Sequence, residues 1–304
     1  MSTASNWNLP ALRDGGAADA DLIERRERAA LEMPGVEGVP HVTMNIGGVD
    51  CLVAGDRTAS RALLHLHGGG FRMGTPRTWV NYATDLARRT GSVVVVPDYR
   101  LAPEHPFPAA IHDAAAVYDE LASTASVFVG GDSAGGALAV SLAIAARDAQ
   151  RTSPAGLILL SPWLDLTVSA ASYSVFDGTD TMFSSIAANE AAEAYLQGLA
   201  RDTSLASPLH ADLSGLPEVL CFVGAEEVLV DDSIAFVTKA SRVGVRHELH
   251  VVPTMPHLAC HHARSRADRA STRSDRPILE EIASQCFAGC GCIVDAASLS
   301  RSTK

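Results

Sequence analysis

The chain has no run of about eighteen apolar residues, the length a helix needs to cross a bilayer. Its first residues, Met1 to Asp14, offer neither a basic start nor an apolar stretch, so no secretory signal is expected and the expected compartment is the cytoplasm. Positive charge is also scarce: 24 Lys and Arg face 35 Asp and Glu. The net charge is −11 and the cations gather into no stripe, which excludes a nucleic-acid footprint. Six cysteines are present, and in a cytoplasmic protein they are expected to be reduced. Cys51 and Cys221 lie in strand patterns and read as small core residues. Cys260, His261, His262, Cys286, Cys290 and Cys292 fit no zinc template, so no metal is expected.

What is present fits one large α/β domain spanning residues 1–304: 47% of the residues are apolar, ample for a single core. A charged helical pattern covers residues 17–32. Segments 41–46 and 49–54 flank Gly47-Gly48, a two-residue hairpin signal. Further strands are expected at 62–67, 92–96, 127–130, 156–160, 219–223 and 247–252, with helical patterns between most of them. Such alternation predicts a mostly parallel sheet with helices on both faces, and ligands collect beyond the carboxyl ends of its strands. Residues 165–217 interrupt the rhythm, with a helical stretch only at 185–199, and read as a lid. Strand 247–252 is expected at the sheet edge, where pairing with a second copy would give a homodimer.

Two glycine-rich turns carry the chemistry. Gly131, Ser133 and Gly135 form a G-x-S-x-G turn between an apolar strand and an alanine-rich helix. That setting strains the serine onto a bend and exposes its hydroxyl. In isolation the same residues read as a plain turn with a helix-capping serine. The strand before and helix after favour the nucleophile. His67-Gly-Gly-Gly-Phe71 directly follows another strand, and three side-chain-free residues let backbone N–H groups converge on a developing oxyanion.

With these blocks on view, the sequence resembles the hormone-sensitive lipase family of α/β-hydrolase esterases. The likeness rests on His67-Gly-Gly-Gly70, on Asp98-Tyr-Arg-Leu-Ala-Pro-Glu-His-Pro-Phe-Pro-Ala-Ala110 and on Gly131-Asp-Ser-Ala-Gly-Gly136. Ser161-Pro-Trp-Leu-Asp-Leu166, Ser207-Pro-Leu209 and Ala211-Asp-Leu-Ser-Gly-Leu-Pro217 support it, and it extends from about Pro34 to His257. It implies the α/β-hydrolase fold with a helical cap, Ser133 as nucleophile, and an oxyanion hole from the amides of Gly69, Gly70 and Ala134.

A hydroxyl needs a base, and histidine has the matching pKa. Pro253-Thr-Met-Pro-His257 resembles the family's histidine block, with His261 and His262 as competitors, whereas His65, His247 and His250 lie within strands. The acid position reads Glu227-Val-Leu-Val-Asp231 where the family usually begins with aspartate. Glu227 is the expected acid, and Asp231 and Asp232, its competitors, are expected to cap the helix they open. Tyr99, Arg100, Glu104 and Asp132 are expected to brace the glycine loop.

The resemblance places the cap in about residues 1–40 and 165–207. There Tyr173, Phe176, Met182, Phe183, Tyr195 and Leu196 would either wall the substrate or fasten the cap. After His257 the pattern departs from the family, and residues 258–304 form a divergent tail with a late helical pattern at 277–287. The implied activity is hydrolysis of small-molecule carboxylic esters with short to medium acyl groups, without cofactor. Lactone hydrolysis on the same site and a catalytically silent, receptor-like ligand binder are the alternatives.

Overall fold

The computed structural model describes residues 7–30, 33–253 and 257. Among these residues eight strands form one sheet in the order β1-β2-β4-β3-β5-β6-β7-β8. β1 (His41–Ile46) and β2 (Val49–Ala54) make the expected antiparallel hairpin, and β2 also runs antiparallel to β4 (Val93–Pro97). The remaining pairings, through β3 (Arg61–Leu66), β5 (Ser126–Asp132), β6 (Leu157–Leu160), β7 (Val219–Gly224) and β8 (His247–Val252), are parallel. Among the described residues β8 is the outer strand, as its place in the sequence suggests.

Strand positions agree with the apolar pattern to within a few residues, and two shifts matter. β3 ends at Leu66, so His67 falls into the glycine loop and not the strand. β5 continues through Gly130 and Gly131 to Asp132, because residues without side chains still pair on both edges. The four consecutive valines of β4 are all buried, as a strand covered on both faces requires.

Helices lie on both faces. α2 (Val80–Thr90) packs Val80, Ala83, Leu86 and Ala87 against Leu63, Val94 and Val96, and ends at Gly91 in the left-handed conformation. α3 (Ala109–Ala122), α4 (Ala134–Asp148) and α7 (Val230–Arg242) share the larger core with Leu64, Leu66, Val129 and Leu159. Cys51 and Cys221 are fully buried, and burial pushes both thiols up to about 12, which suits inert packing.

α1 (Ala20–Ala29) is shorter than its charge pattern, opening where Asp19 caps the amide of Leu22. Between β6 and β7 stand α5 (Ser172–Val175) and α6 (Ser185–Leu196), the latter stopping three residues before the helical pattern does because Gln197 turns left-handed. Among the described residues no helix is long and apolar enough to cross a membrane. The expected helix at 277–287, the competitors His261 and His262, and the cysteines beyond Cys221 lie outside the described residues.

Candidate active site

Parallel pairing of β3 with β5, register Leu66 to Gly131, brings the loops after both strands side by side at the carboxyl edge. Ser133 follows β5 directly with φ 51° and ψ −120°, a conformation that side-chain-bearing residues seldom adopt. Around it the small residues have specific reasons. A Cβ on Gly135 would collide with the carbonyl oxygens of Leu66 and His67, one on Gly68 with Asp132, and one on Gly136 with Pro162. The helix start and the glycine loop touch backbone to backbone, a spacing only glycine permits.

Ala134 opens α4, so its N–H has no intrahelical acceptor and lies at the positive end of the helix dipole. Gly69 and Gly70 take φ values of 120° and 61°, in the region open to glycine, and the carbonyl of Gly69 accepts from Arg72 and Met73. The loop is thereby folded back on itself next to Ser133.

Its bracing matches expectation in most respects. Tyr99 donates to the carbonyl of His67 at 2.6 Å, and its ring stacks on the imidazole at 4.2 Å. Asp132 meets His65 at 3.0 Å beneath the turn. Glu104 pairs with Arg26 of α1, whose Nε also donates to Arg72 beyond the loop. Arg100 differs: it binds Asp113 of α3 with several hydrogen bonds and so fixes its own turn to that helix. His67 is fully buried, and loss of hydration pushes its pKa down to about 4, partly opposed by its bond to Gly68.

The distant members converge on the same point. His257, 4% exposed, places Nε2 3.2 Å from Ser133 Oγ. Glu227 is wholly buried, with Oε2 3.4 Å from His257 Nδ1, close enough to pair but short of a hydrogen-bonding alignment. Oε2 also accepts from Ser161 Oγ at 3.0 Å. Ser133, His257 and Glu227 thus stand in line, each from a loop at the carboxyl end of a different strand.

Asp231 and Asp232 do not cap α7, contrary to expectation. That helix has no side-chain cap; Asp232 instead accepts from the amides of Leu164 and Asp165, and Asp231 from that of Ser172. Both reach across to the segment after β6, a longer-range use than local capping. Sequence reasoning also assigned no role to Ser161. Its one signal was position, directly after β6 within a matched block, and its φ of 45° shows a second sharp turn there.

The six side chains of the interval divide. Tyr173, Tyr195 and Leu196 are at most 2% exposed and fasten it: Tyr195 stacks on Phe71 at 3.8 Å, and its carbonyl accepts from Phe107. Phe176 is half-buried against the core and Met182 is exposed. Phe183 lies over the site, its ring nearly parallel to that of His257 at 5.7 Å and edge-on to Trp163 at 5.3 Å.

The profile of the α/β-hydrolase fold family matches residues 63–261. The chain is 38% identical to an acetyl-hydrolase of Streptomyces hygroscopicus over 206 residues, 66% of this chain and 69% of that protein. It is 38% identical to an esterase of Acinetobacter venetianus over 194 residues, 62% of this chain and 64% of the esterase, just under two thirds. The crystal structure of a hormone-sensitive lipase from a metagenome library is similar with a TM-score of 0.77 at 36% identity, covering 81% of this chain and 86% of that one. Fold, motifs and relatives agree, and the chain belongs to the hormone-sensitive lipase family of α/β-hydrolase-fold carboxylesterases.

Proposed function

We propose that the protein hydrolyses short to medium acyl esters through an acyl-enzyme on Ser133. His257 Nε2 takes the hydroxyl proton as Oγ attacks the carbonyl carbon, and the resulting oxyanion faces the amides of Gly69, Gly70 and Ala134. Collapse of that intermediate breaks the ester bond, and His257 returns the proton to the departing alcohol. Water, deprotonated by the same ring, then attacks the acyl-serine and releases the acid. Glu227 steadies the imidazolium in both half-reactions.

The observation that carries this reading is the alignment of the Ser133 hydroxyl, 3.2 Å from His257, with the buried Glu227 carboxylate on the ring's far side. It also argues against a silent, receptor-like protein, which has no need of a base against the serine. The ring of Phe183, packed between His257 and Trp163, supports small acyl groups, as does the likeness to an acetyl-hydrolase. The N-terminal segment and residues 165–207 form the cap in this reading. Arg13 donates to the carbonyls of Leu196 and Gln197, tying the two pieces together, and Gly16 donates to that of Pro103 in the segment between β4 and α3. A homodimer through edge strand β8 belongs to the same proposal.

The test is turnover of p-nitrophenyl esters from acetate to decanoate beside a panel of lactones, with fluorophosphonate labelling of the serine. Acetate to hexanoate should be turned over fastest, and Ser133→Ala or His257→Ala should each cost about 10⁴-fold or more in kcat. Faster turnover of lactones would reassign the substrate class. A folded protein that neither hydrolyses nor takes the label would be a binder.

A further inference from the structure

We infer that Asp180 and Ser172 are positioning residues that set the acid Glu227 through its neighbour Val228, an inference resting on the reading of Glu227 as the acid. Asp180 is 6% exposed. Its Oδ2 accepts from the amide of Val228 at 3.1 Å, while Oδ1 accepts from the amides of Met182 and Phe183 at 3.0 and 3.1 Å. Ser172 Oγ donates to the carbonyl of Val228 at 2.6 Å. Both polar groups of the residue after Glu227 are therefore held by one stretch of the proposed cap.

The grip matters because Glu227 has little else to define its position. Among the described residues its carboxylate is held by a single bond, from Ser161, and lies 3.4 Å from the imidazole without full alignment, while Oε1 has no hydrogen-bond partner there. Placement of such a group falls to its backbone. The same Asp180 carboxylate fixes the amide of Phe183, whose ring lies nearly parallel to that of His257 at 5.7 Å. One buried anion thus orders the backbone behind the acid and the aromatic face against His257, and displacement of about 1 Å in such a site costs about 10²-fold in rate.

A purely structural role makes a different demand. An asparagine at 180 keeps an oxygen for Met182 and Phe183 and would close the local turn equally well. Its amide N–H₂ would then face the N–H of Val228, donor against donor. Asp180→Asn therefore separates the turn from the grip on Val228.

The experiment is a double-mutant cycle on p-nitrophenyl acetate: Asp180→Asn, Glu227→Gln and the pair, with melting temperatures as the check on folding. We expect Asp180→Asn to lower kcat about tenfold with KM within about twofold, and to add less than about twofold in the Glu227→Gln background. If the factors multiply in the double variant, Asp180 does not act through Glu227: the inference fails and the acid assignment stands. If Glu227→Gln alone keeps the parental kcat, both fall. Should Asp180→Asn not fold, Ser172→Ala, which removes only the bond to the Val228 carbonyl, enters the same cycle with the same two readings.

Discussion

The two halves of the site are built by different means. Around Ser133 the chain is shaped by what is missing: Gly68, Gly69, Gly131 and Gly135 let backbones meet where any Cβ would strike a carbonyl or carboxylate oxygen. Around Glu227 and His257 the shaping is done by polar side chains from afar, Ser161, Ser172, Asp180, Asp231 and Asp232, each joining segments at least 48 residues apart in sequence. Backbone contact is rigid and admits no intermediate state. A web of single hydrogen bonds yields by degrees, so the first half should fail abruptly under substitution and the second gradually.

The hardest blow to this contrast is Gly135→Ala. The added methyl meets the Leu66 and His67 carbonyls, and neither the strand end nor the glycine loop can retreat without shifting the proposed oxyanion hole. Overpacking of this kind costs about 1–3 kcal/mol in stability. With the loop displaced, turnover should drop by about 10²-fold or more, read from ester hydrolysis beside urea denaturation. Parental activity in the variant would mean that the close approach is dispensable.

Ser161→Ala probes the other half and should do less. Glu227 loses its hydrogen-bond donor but keeps its backbone support, so kcat should fall about tenfold, with KM within about twofold. Initial-rate measurements across substrate concentration give both numbers. A loss as deep as that of Gly135→Ala would erase the distinction between the halves.

The same distinction governs what the sequence discloses. Glycine at a tight approach is visible as a letter, so His67-Gly-Gly-Gly70 and the turn at Ser133 announce themselves; alternating strands and helices predict a parallel sheet, but the β3–β5 pairing that joins the two turns skips over β4 and is read only from the structure. Glu227 and His257 were reached by likeness to a family and not by pattern, since nothing local separates one acidic or imidazole side chain from its neighbours. Asp231 and Asp232 show why: at a helix start they satisfy the rule for caps, yet tertiary packing turns them toward Ser172, Leu164 and Asp165. Ser161 and Asp180 were silent for the same reason, as the groups they hold at Glu227 and Val228 lie 66 and 48 residues away.

The mildest test compares one buried ionisable group from each half by its effect on stability. His67 in the glycine loop is pushed down from 6.5 to about 4, chiefly by burial, so the unfolded chain binds the extra proton and stability is lost as pH falls through that window. Asp232 behaves in the opposite sense. Burial, reinforced by the charges of Asp165 and Asp231 and opposed by the amides of Leu164 and Asp165, pushes it up from 3.8 to about 8. Between those values the folded state holds a proton that the unfolded state lacks, and stability declines as pH rises by up to about 1.4 kcal/mol per pH unit. From pH 4 to 6.5 the two slopes oppose each other, and from 6.5 to 8 that of Asp232 stands without its opponent. Asp232→Asn keeps an oxygen for both amides and cannot titrate, so urea denaturation between pH 6.5 and 8 should show a slope in the parent that this variant flattens, with kcat changed by less than about twofold. An equal slope in both proteins would mean that Asp232 is ionised across the range, and that the half of the site built from side chains carries its buried charge without a proton.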